Sequence, residues 1–371
     1  MTDHSTGDGA ALRPAGGGRR RRGTAGRDKP ATIRDVAARA GVSVATVSRT
    51  PAGNYPVSET TRARVTAAVE ALHYVVNVHA KALSGGVPGP VALVLHDITS
   101  PSLAHVAAGV QQEAATRGRL SLVCATHGDP ARENDLVQLM REQHAAAVVL
   151  VGGAEADDAS YARMAGYAHG LASAGSRLVL VGRPPLPAGA PATVIEYDNR
   201  GGAFQAAGRL LAAGHRRVLF LGGEPRFATA QQRRAGHLDA LRAYGVPYEE
   251  ELDVPGPYTR TSGYLRTRDA LRAGQGFTAV FAGTDMVALG ALAALREAGV
   301  SVPDDVSLVG YDDVPFAADL TPALTTVRVP YEDLGRSAVR LALEREERVC
   351  ADDHVVLGTH LVIRQSVTAR G

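Results

Sequence analysis

From residue 91 onward, short apolar runs alternate with longer amphipathic stretches. Short apolar runs predict buried strands, and apolar residues at helical spacing predict amphipathic helices. Strands that alternate with helices specify parallel sheets with helices on both faces, which makes an α/β fold the expected class. The predicted strands lie at 91–95, 121–125, 146–151, 178–181, 218–221, 279–282 and 306–309, and the predicted helices at 104–116, 133–143, 202–212, 231–244 and 286–298.

This alternating region is too long for a single sheet. About 285 residues exceed what one hydrophobic core usually supports, so we expect two α/β subdomains with a cleft between them. Ligands of open α/β sheets bind at the carboxyl ends of the strands. The sequence therefore predicts a ligand site in this cleft.

The chain that precedes this region is rich in alanine and favours short helices. Thr32 caps a first helix, and Asp35 stands where the acid of a capping box would lie. Gly41 ends that helix, and Ser43 caps a second helix at 44–49. A third helix follows. Two short helices joined by a glycine turn and followed by a third predict a helix-turn-helix.

The formal net charge of +2 is the sum of two unlike parts. Residues 1–86 carry a net charge of +7, and residues 87–371 carry a net charge of −5. A basic end on a mildly acidic body is typical of a protein that meets a polyanion through one end. Residues 1–30 are rich in glycine and arginine and are predicted to form a disordered tail. The arginines at 19–22 are either part of a solvated tail or a non-specific phosphate-binding arm.

Composition excludes several classes of protein. Hydrophobic residues make up 45% of the chain, which excludes disorder throughout. Two cysteines, Cys124 and Cys350, are too few for a disulfide framework, so a reducing compartment is expected. The sequence has no apolar run of about 18 residues and no apolar segment after the arginines, so we expect a cytoplasmic protein that neither spans a membrane nor carries an export signal.

Enzyme and metal motifs are also absent from the sequence. It contains no Gly-x-x-x-x-Gly-Lys-Ser/Thr phosphate loop, no His-Glu-x-x-His, no Gly-x-Ser-x-Gly and no Cys-x-x-Cys. The 12 histidines show no metal-ligand spacing. We therefore expect the protein not to be an enzyme and to need neither a cofactor nor a metal.

The sequence of residues 31–49, ATIRDVAARAGVSVATVSR, closely resembles the headpiece of the LacI/GalR family of bacterial transcription regulators. The resemblance covers residues 31–371. It implies a three-helix helix-turn-helix DNA-binding headpiece at 31–76, a hinge helix at 77–86, and a two-lobed periplasmic-binding-protein-like domain at 87–371 for effector binding and dimerisation. Other segments similar to the family are Thr61-Arg62 through Leu72-His73-Tyr74, Gly214-His215-Arg216-Arg217 and Val309-Gly310-Tyr311-Asp312-Asp313.

In a headpiece of this kind, the second helix lies in the major groove with its first residues at base edges. Val44 and Ala45 are small and apolar, so they read methyl groups and shape. Arg49 is suited to a bidentate contact with guanine, or alternatively to a phosphate contact. The predicted DNA-binding residues of the headpiece are Thr32, Arg34, Ser43, Val44, Ala45, Thr46, Ser48 and Arg49, of which Ser43, Thr46 and Ser48 bind phosphates through their hydroxyls.

The segment that resembles the family's hinge helix adds Asn77, Ala80, Lys81 and Leu83 to the predicted DNA contacts. The resemblance implies that it orders on DNA, where Leu83 of each subunit wedges into the minor groove at the cost of unstacking a base step. The alternative is that Leu83 is an ordinary linker residue.

Two residues depart from the family pattern. Pro51 follows the second helix, and a proline disfavours helical geometry in the residue before it, so we expect Thr50 to leave the helical region and the helix to end at Arg49. Val76 stands before the hinge segment, where the family commonly has proline. We expect both residues to change the geometry of the headpiece.

The resemblance places Arg233, Asp285 and Tyr258 in the effector site, and Asp198 more weakly. Arg233 and Asp285 would face one small polar ligand with opposite charges, because one donates and the other accepts hydrogen bonds. The alternatives are a helix N-cap for Asp285 and a surface-loop position for Tyr258. Two departures concern the cleft. Ser100 and Ser102 replace bulkier residues on one wall, and Val329 replaces a common glutamine, which favours a ligand larger than a monosaccharide or one with different polar demands.

These observations predict a ligand-responsive, sequence-specific repressor of carbohydrate-utilisation genes. Its expected partners are a pseudo-palindromic double-stranded DNA operator, a carbohydrate effector and a second copy of the chain, since two-fold proteins read two half-sites. The alternatives are a two-lobed sugar-binding protein without a regulatory role, and an enzyme with an α/β cleft. The basic helix-turn-helix opposes the first alternative, and the absence of catalytic motifs opposes the second.

Specificity and affinity should respond differently to two changes in the basic end. Substitution Arg49→Ala should relax discrimination at one base pair of the operator, since a bidentate contact to guanine contributes about 1–3 kcal/mol. Deletion of the arginines at 19–22 should instead weaken binding to all sequences and reduce its salt dependence. Binding assays on operator variants at two salt concentrations separate the two effects. Equal losses on every sequence for Arg49→Ala would contradict the base-reading role.

Overall fold

The computed structural model describes residues 31–50, 57–74, 89–187, 189–344 and 354–370. The chain divides into two compact units, residues 1–87 and 88–371, and each is described by itself. The predictions for the N-terminal tail and for the hinge residues Asn77, Ala80, Lys81 and Leu83 lie outside the described residues. The predictions for Pro51 and Val76 themselves also lie outside them.

The first unit contains the predicted helix-turn-helix. Helices α1 (Ile33–Ala40) and α2 (Val44–Arg49) are joined by a turn in which Gly41 has φ 63°, and α3 (Glu59–Ala71) follows. The Thr32 backbone N–H donates to Asp35 Oδ2 at 2.8 Å, and the Asp35 N–H donates to Thr32 Oγ1 at 3.4 Å, which completes the predicted capping box. The buried core of the three helices consists of Val36, Ala37, Ala40, Val47, Val65 and Ala68.

Helix α2 ends at Arg49 as predicted, but the expected conformation of Thr50 is wrong. Thr50 has φ −59° and ψ −42°, which are helical values. Its backbone N–H and its hydroxyl both donate to the carbonyl of Thr46, the hydroxyl at 2.7 Å. These two bonds hold Thr50 in the last helical turn, against the steric preference of a residue that precedes proline.

The second unit is built of two lobes. The N-lobe sheet has the strand order β10-β5-β4-β3-β1-β2, and every neighbouring pair in it is parallel. Its elements are β1 (Val91–Leu95), α4 (Pro101–Thr116), β2 (Ser121–Ala125), α5 (Pro130–Glu142), β3 (Ala147–Val151), α6 (Asp158–Ser173), β4 (Arg177–Val181), β5 (Ala192–Tyr197), α12 (Tyr331–Glu344) and β10 (His354–Leu357).

The C-lobe has a smaller parallel sheet in the order β6-β7-β8 and an antiparallel pair, β9 with β11. The chain passes between the lobes after β5, after β9 and after β10. The C-lobe elements are α7 (Asn199–Ala212), β6 (Val218–Leu221), α8 (Ala228–Ala243), a 3-10 turn (Glu250–Leu252), α9 (Arg260–Arg272), β7 (Ala279–Ala282), α10 (Asp285–Glu297), β8 (Ser307–Val309), α11 (Phe316–Asp319), β9 (Thr326–Arg328) and β11 (His360–Val362).

The structure confirms the predicted α/β class, with two lobes and parallel sheets. Strands β1, β3 and β7 are buried along their whole length, as expected for central strands of parallel sheets with helices on both faces. In the parts of the chain that the structure describes, no helix has the length and apolar character needed to cross a membrane.

A histidine lies in the apolar core of the C-lobe. The imidazole of His237 on α8 is 3% exposed and stacks on the Phe220 ring with a centroid distance of 4.6 Å. Its Nδ1 has no hydrogen-bond partner among the described residues. Burial, and to a smaller extent the nearby charge of Arg234, lowers the pKa of His237 to about 3. The folded protein therefore keeps this histidine neutral.

The low pKa of His237 should make the protein acid-sensitive. Its ordinary pKa is 6.5, so the unfolded chain binds a proton at this histidine below pH 6.5. The folded chain binds that proton only near its own lower pKa of about 3. The free energy of unfolding should therefore fall by about 1.4 kcal/mol per pH unit from this group as the pH drops through that window. Urea denaturation of His237→Phe at pH 7 and pH 5 should show a smaller fall than the parent protein. The control His169→Phe changes an exposed histidine on α6 and should lose as much unfolding free energy between pH 7 and pH 5 as the parent protein. An equal loss in the two variants would show that His237 is not the source of the acid sensitivity.

Candidate functional site

Helix α2 presents most of its predicted DNA-binding residues to solvent. Ser43, Val44, Ala45, Ser48 and Arg49 are exposed, and Thr46 is half-buried. Val44, an apolar residue at the start of this surface helix, is 41% exposed. This is the arrangement that lets a helix offer small apolar side chains to base edges. The predicted contacts Thr32 and Arg34 are also exposed, at the start of α1.

The Ser43 hydroxyl stabilises the start of α2. It accepts a hydrogen bond from the Thr46 N–H at 3.1 Å and lies 2.8 Å from the Thr46 hydroxyl. Ser43 is therefore the N-cap of α2, and a phosphate contact would be added to that role.

In the second unit, Arg233 on α8 is the centre of a buried polar cluster. Its side chain is 2% exposed. Its Nε donates to Asn199 Oδ1 at 3.0 Å, and its Nη1 donates to the carbonyl of Gly283. Its Nη2 donates to the Tyr197 hydroxyl at 3.3 Å and to Asp312 Oδ1 at 3.4 Å. These bonds use four of the five guanidinium donors, so one N–H of Nη1 has no protein acceptor among the described residues.

Aromatic rings surround this guanidinium. Its central carbon lies 3.8 Å from the centroid of the Tyr311 ring and 5.6 Å from that of Tyr258. A Cβ atom on Gly223 would lie 2.5 Å from the Tyr258 ring, and one on Gly283 would lie 2.7 Å from it, so both positions require glycine. The Tyr258 hydroxyl is buried without a hydrogen-bond partner among the described residues. Tyr258 is therefore part of this cluster and not an isolated loop residue.

Asp285 is hydrogen-bonded to protein donors through both of its carboxylate oxygens. Its Oδ2 accepts from the Val314 N–H at 3.0 Å, and its Oδ1 accepts from the Thr326 hydroxyl at 2.6 Å. Thr284, not Asp285, is the N-cap of α10. Asp285 is fully buried, and burial together with the nearby Asp312 raises its pKa. Asp285 remains a candidate effector residue, but in this structure both its oxygens bind protein donors.

The carboxylate that pairs with Arg233 is Asp312. Its Oδ1 also accepts from the Tyr331 hydroxyl at 2.7 Å, and burial raises its pKa. Asp312 has φ 117°, an unusual value for a residue with a side chain. The sequence identified Arg233 and missed Asp312, Asn199 and Tyr197. The available signals were the motif at 309–313 and the neighbourhood of Asp198.

Four other residues singled out in the sequence lie outside the cluster or at its edge. The Asp198 carboxylate is exposed and accepts from the Gly201 N–H at 2.7 Å, so it caps α7, while its neighbour Asn199 contacts the guanidinium. Ser100 and Ser102 are half-buried, with their hydroxyls 3.1 Å apart. Val329 is 4% exposed and packs in the apolar core, so the structure gives no support for its expected place in the cleft wall.

No cluster of three or more His, Cys, Asp or Glu side chains suited to a metal ion occurs among the residues that the structure describes. In the Arg233 cluster, one guanidinium N–H and the Tyr258 hydroxyl have no protein partner among the described residues.

Comparisons with known proteins agree with both units. Residues 32–77 match the model for bacterial regulatory proteins of the lacI family, and residues 207–367 match that for a periplasmic binding protein-like domain. The chain is 35% identical to the transcriptional regulator CelR of Thermobifida fusca, over 90% of this chain and 98% of that protein. It is 34% identical to the regulator GalR of Escherichia coli, over 91% and 96% of the two chains.

Solved structures give the same result. The CelR–cellobiose complex is similar, with a TM-score of 0.66 and 33% identity over 91% of this chain and 99% of that one. The Lac repressor dimer bound to operator has a TM-score of 0.79 and 25% identity over 92% and 100%. An exposed helix-turn-helix joined to a two-lobed ligand-binding domain defines a ligand-responsive transcriptional regulator. The chain belongs to the LacI family of bacterial regulatory proteins, which favours this role over the sugar-transport and enzyme alternatives.

Removal of the buried guanidinium should destabilise the second unit. In Arg233→Met the Asp312 carboxylate loses its cationic partner in the protein interior, and breaking such a pair costs about 3–5 kcal/mol of unfolding free energy. The double variant Arg233→Met/Asp312→Asn should recover more than half of the loss. Urea denaturation measures both, and Arg242→Met, an exposed arginine of the same helix, is the control. A loss below about 1 kcal/mol in the single variant, which is the value of a surface pair, would show that the two charges do not depend on each other.

Proposed function

We propose that the protein is a repressor that binds a pseudo-palindromic operator as a homodimer and whose affinity for that operator is set by a carbohydrate bound in the cleft. The proposal rests on the presence of a candidate DNA-binding site and a candidate ligand site in one chain. One is the exposed α2 helix, and the other is the buried Arg233 cluster. We place its action in the cytoplasm, where a regulator meets chromosomal DNA.

The Arg233 cluster supports a carbohydrate effector. A sugar presents hydroxyls that both donate and accept, together with apolar ring faces, and the cluster offers partners for each. The relative CelR is known in complex with cellobiose, and it is 33% identical to this chain. We propose a ligand of more than one sugar ring, in keeping with the small residues Ser100 and Ser102 on the cleft wall.

The edge of the N-lobe sheet supports the homodimer. Strand β2 is the last strand of the sheet, and it exposes Leu122 and Val123. Leu120, just before it, is 77% exposed. An unpaired edge with apolar side chains is a surface that proteins normally cover. The Lac repressor, which is similar in structure, is a dimer on its operator.

Electrophoretic mobility shift with genomic fragments tests the DNA-binding role. The full chain should bind specific fragments, and binding should weaken steeply between 50 and 200 mM salt, as about six or more phosphate contacts require. Substitution Val44→Glu places a negative charge on the exposed face of α2 and should reduce specific binding at least tenfold. The matched control Leu265→Glu changes an equally exposed residue of α9 and should bind normally. Equal binding by both variants would contradict the assignment of α2.

A thermal-shift screen tests the effector class. Cellobiose and maltose should raise the melting temperature, since a ligand at 100 times its dissociation constant adds about 2.7 kcal/mol to the unfolding free energy. The operator affinity measured with the same sugar should change. Stabilisation by another metabolite class, with none by any mono- or oligosaccharide, would overturn the carbohydrate assignment.

A further inference from the structure

Arg266, on α9, donates hydrogen bonds to backbone carbonyls alone. Its Nη1 donates to the carbonyls of Gly222 and Val254, each at 2.7 Å. Its Nη2 donates to the Pro257 carbonyl and its Nε to the Ser262 carbonyl, each at 3.3 Å. No carboxylate pairs with this guanidinium among the residues that the structure describes. The side chain therefore connects backbone segments and does not balance a negative charge.

The four carbonyls lie in three segments of the C-lobe. Gly222 directly follows β6, and Val254 and Pro257 lie in the loop that leads into α9. Ser262 lies in the first turn of α9 itself. Arg266 and Gly222 are 44 residues apart in the sequence. One side chain therefore joins the end of a buried strand, a loop and a helix.

The end of this loop depends on the guanidinium for its backbone hydrogen bonds. At the start of the loop, the Val254 N–H donates to the Phe220 carbonyl at 2.9 Å, which pairs the loop with β6. Within residues 255–258, the Pro257 carbonyl is the one backbone group that has a hydrogen-bond partner in the described parts of the chain. Two of these four residues are prolines, which have no N–H to donate. The position of the chain just before α9 therefore depends on Arg266.

This loop places the ring of Tyr258. The ring packs against Gly223, where a Cβ atom would lie 2.5 Å from it. The Tyr258 hydroxyl has no hydrogen-bond partner among the described residues, so no bond from its own side chain fixes the ring. Pro257, which accepts from Arg266, directly precedes Tyr258. Gly222, which accepts from the same guanidinium, directly precedes Gly223. Arg266 therefore joins the backbone on the two sides of the contact between the ring and the glycine.

The loop packs closely on the Arg266 side chain, which is half-buried. A Cβ atom on Gly256 would lie 3.3 Å from Cδ and 3.3 Å from Cζ of Arg266. Burial lowers the pKa of Arg266 to about 10, so the guanidinium stays protonated at neutral pH and the four carbonyl dipoles face a full positive charge. A lysine would offer one compact ammonium in place of the planar fork, so it could not reach all three segments.

We propose that Arg266 is a positioning residue of the effector site, which holds the Tyr258 ring in place and thereby sets the affinity for the effector without touching it. The ring lies beside Arg233, whose guanidinium carbon is 5.6 Å from the ring centroid, so a displaced ring would alter the cluster. The effect on affinity rests on the proposed function, whereas the position of the loop is a property of the protein alone.

Hydrogen–deuterium exchange of the full chain without ligand tests the position of the loop. In Arg266→Met, peptides that cover residues 253–259 should exchange about tenfold faster than in the parent protein, because the loop loses its hydrogen bonds to the guanidinium. The matched control is Arg268→Met, a half-buried arginine of the same helix that pairs with Asp269 at 2.9 Å, and it should keep the parental rate. Parental exchange of the loop in Arg266→Met would overturn the proposal. An equal rise throughout β7 and α10 would also overturn it, because it would show a general loss of stability.

A double-mutant cycle tests whether Arg266 acts on ligand affinity through Tyr258. Isothermal titration with cellobiose or maltose, whichever binds the parent protein more tightly, should show a loss of about fivefold or more for Arg266→Met. In the Tyr258→Ala background, the same substitution should change the affinity by less than about twofold, since effects that pass through one residue are not additive. Arg268→Met should bind the sugar as the parent protein does. Equal losses in both backgrounds would overturn the positioning role.

The outcomes separate this inference from the proposed function. If neither sugar binds the parent protein and the loop of Arg266→Met exchanges faster, the carbohydrate assignment fails and the positioning of Tyr258 stands. If a sugar binds the parent protein and the exchange of the loop is unchanged, the carbohydrate effector stands and the role of Arg266 is overturned.

Discussion

The buried guanidinium of Arg233 is the charge on which the ligand-binding unit depends. A charge in the protein interior costs several kcal/mol unless it is paired, so its partners must hold fixed positions. Those partners follow β5, β7 and β8, through Tyr197, Gly283 and Asp312. Tyr331, the first residue of an N-lobe helix, donates to the same Asp312. The ion pair is therefore hydrogen-bonded to two N-lobe tyrosines, Tyr197 and Tyr331, which lie beside two of the three segments that join the lobes.

This arrangement explains how a small ligand could act on a large domain. A ligand changes a conformational equilibrium only through contacts that differ between the two states. At the proposed site, a ligand of the Arg233 cluster would touch residues of both lobes. The more the ligand's contacts differ between two arrangements of the lobes, the larger is the coupling free energy between ligand binding and DNA binding.

Local patterns in the sequence predicted most of the central fold but less of the binding cluster. Apolar runs located β1, β2, β6 and β7, and of these β1, β6 and β7 are buried along their whole length, as strands between two helical layers require. Strands β5, β9, β10 and β11 were missed, and the residues of β10 and β11 are partly exposed and form no apolar run. The cap of α1 and the glycine turn each depend on residues that are close together in the sequence, so the sequence predicted both. The pairing of Arg233 with Asp312 joins positions 79 residues apart, and Thr50 kept its helical geometry through a side-chain bond, so neither was visible in a local pattern.

The central claim is that the carbohydrate site and the operator site are thermodynamically coupled. Coupling between two sites is reciprocal, so operator DNA must change the affinity for the sugar by the same factor by which the sugar changes the affinity for the operator. Isothermal titration of the stabilising sugar into the protein, free and saturated with operator, measures this most directly. The sugar affinity should change by about 5-fold or more, and this factor should equal the one from the DNA-binding assay. Identical sugar affinity with and without operator would contradict it.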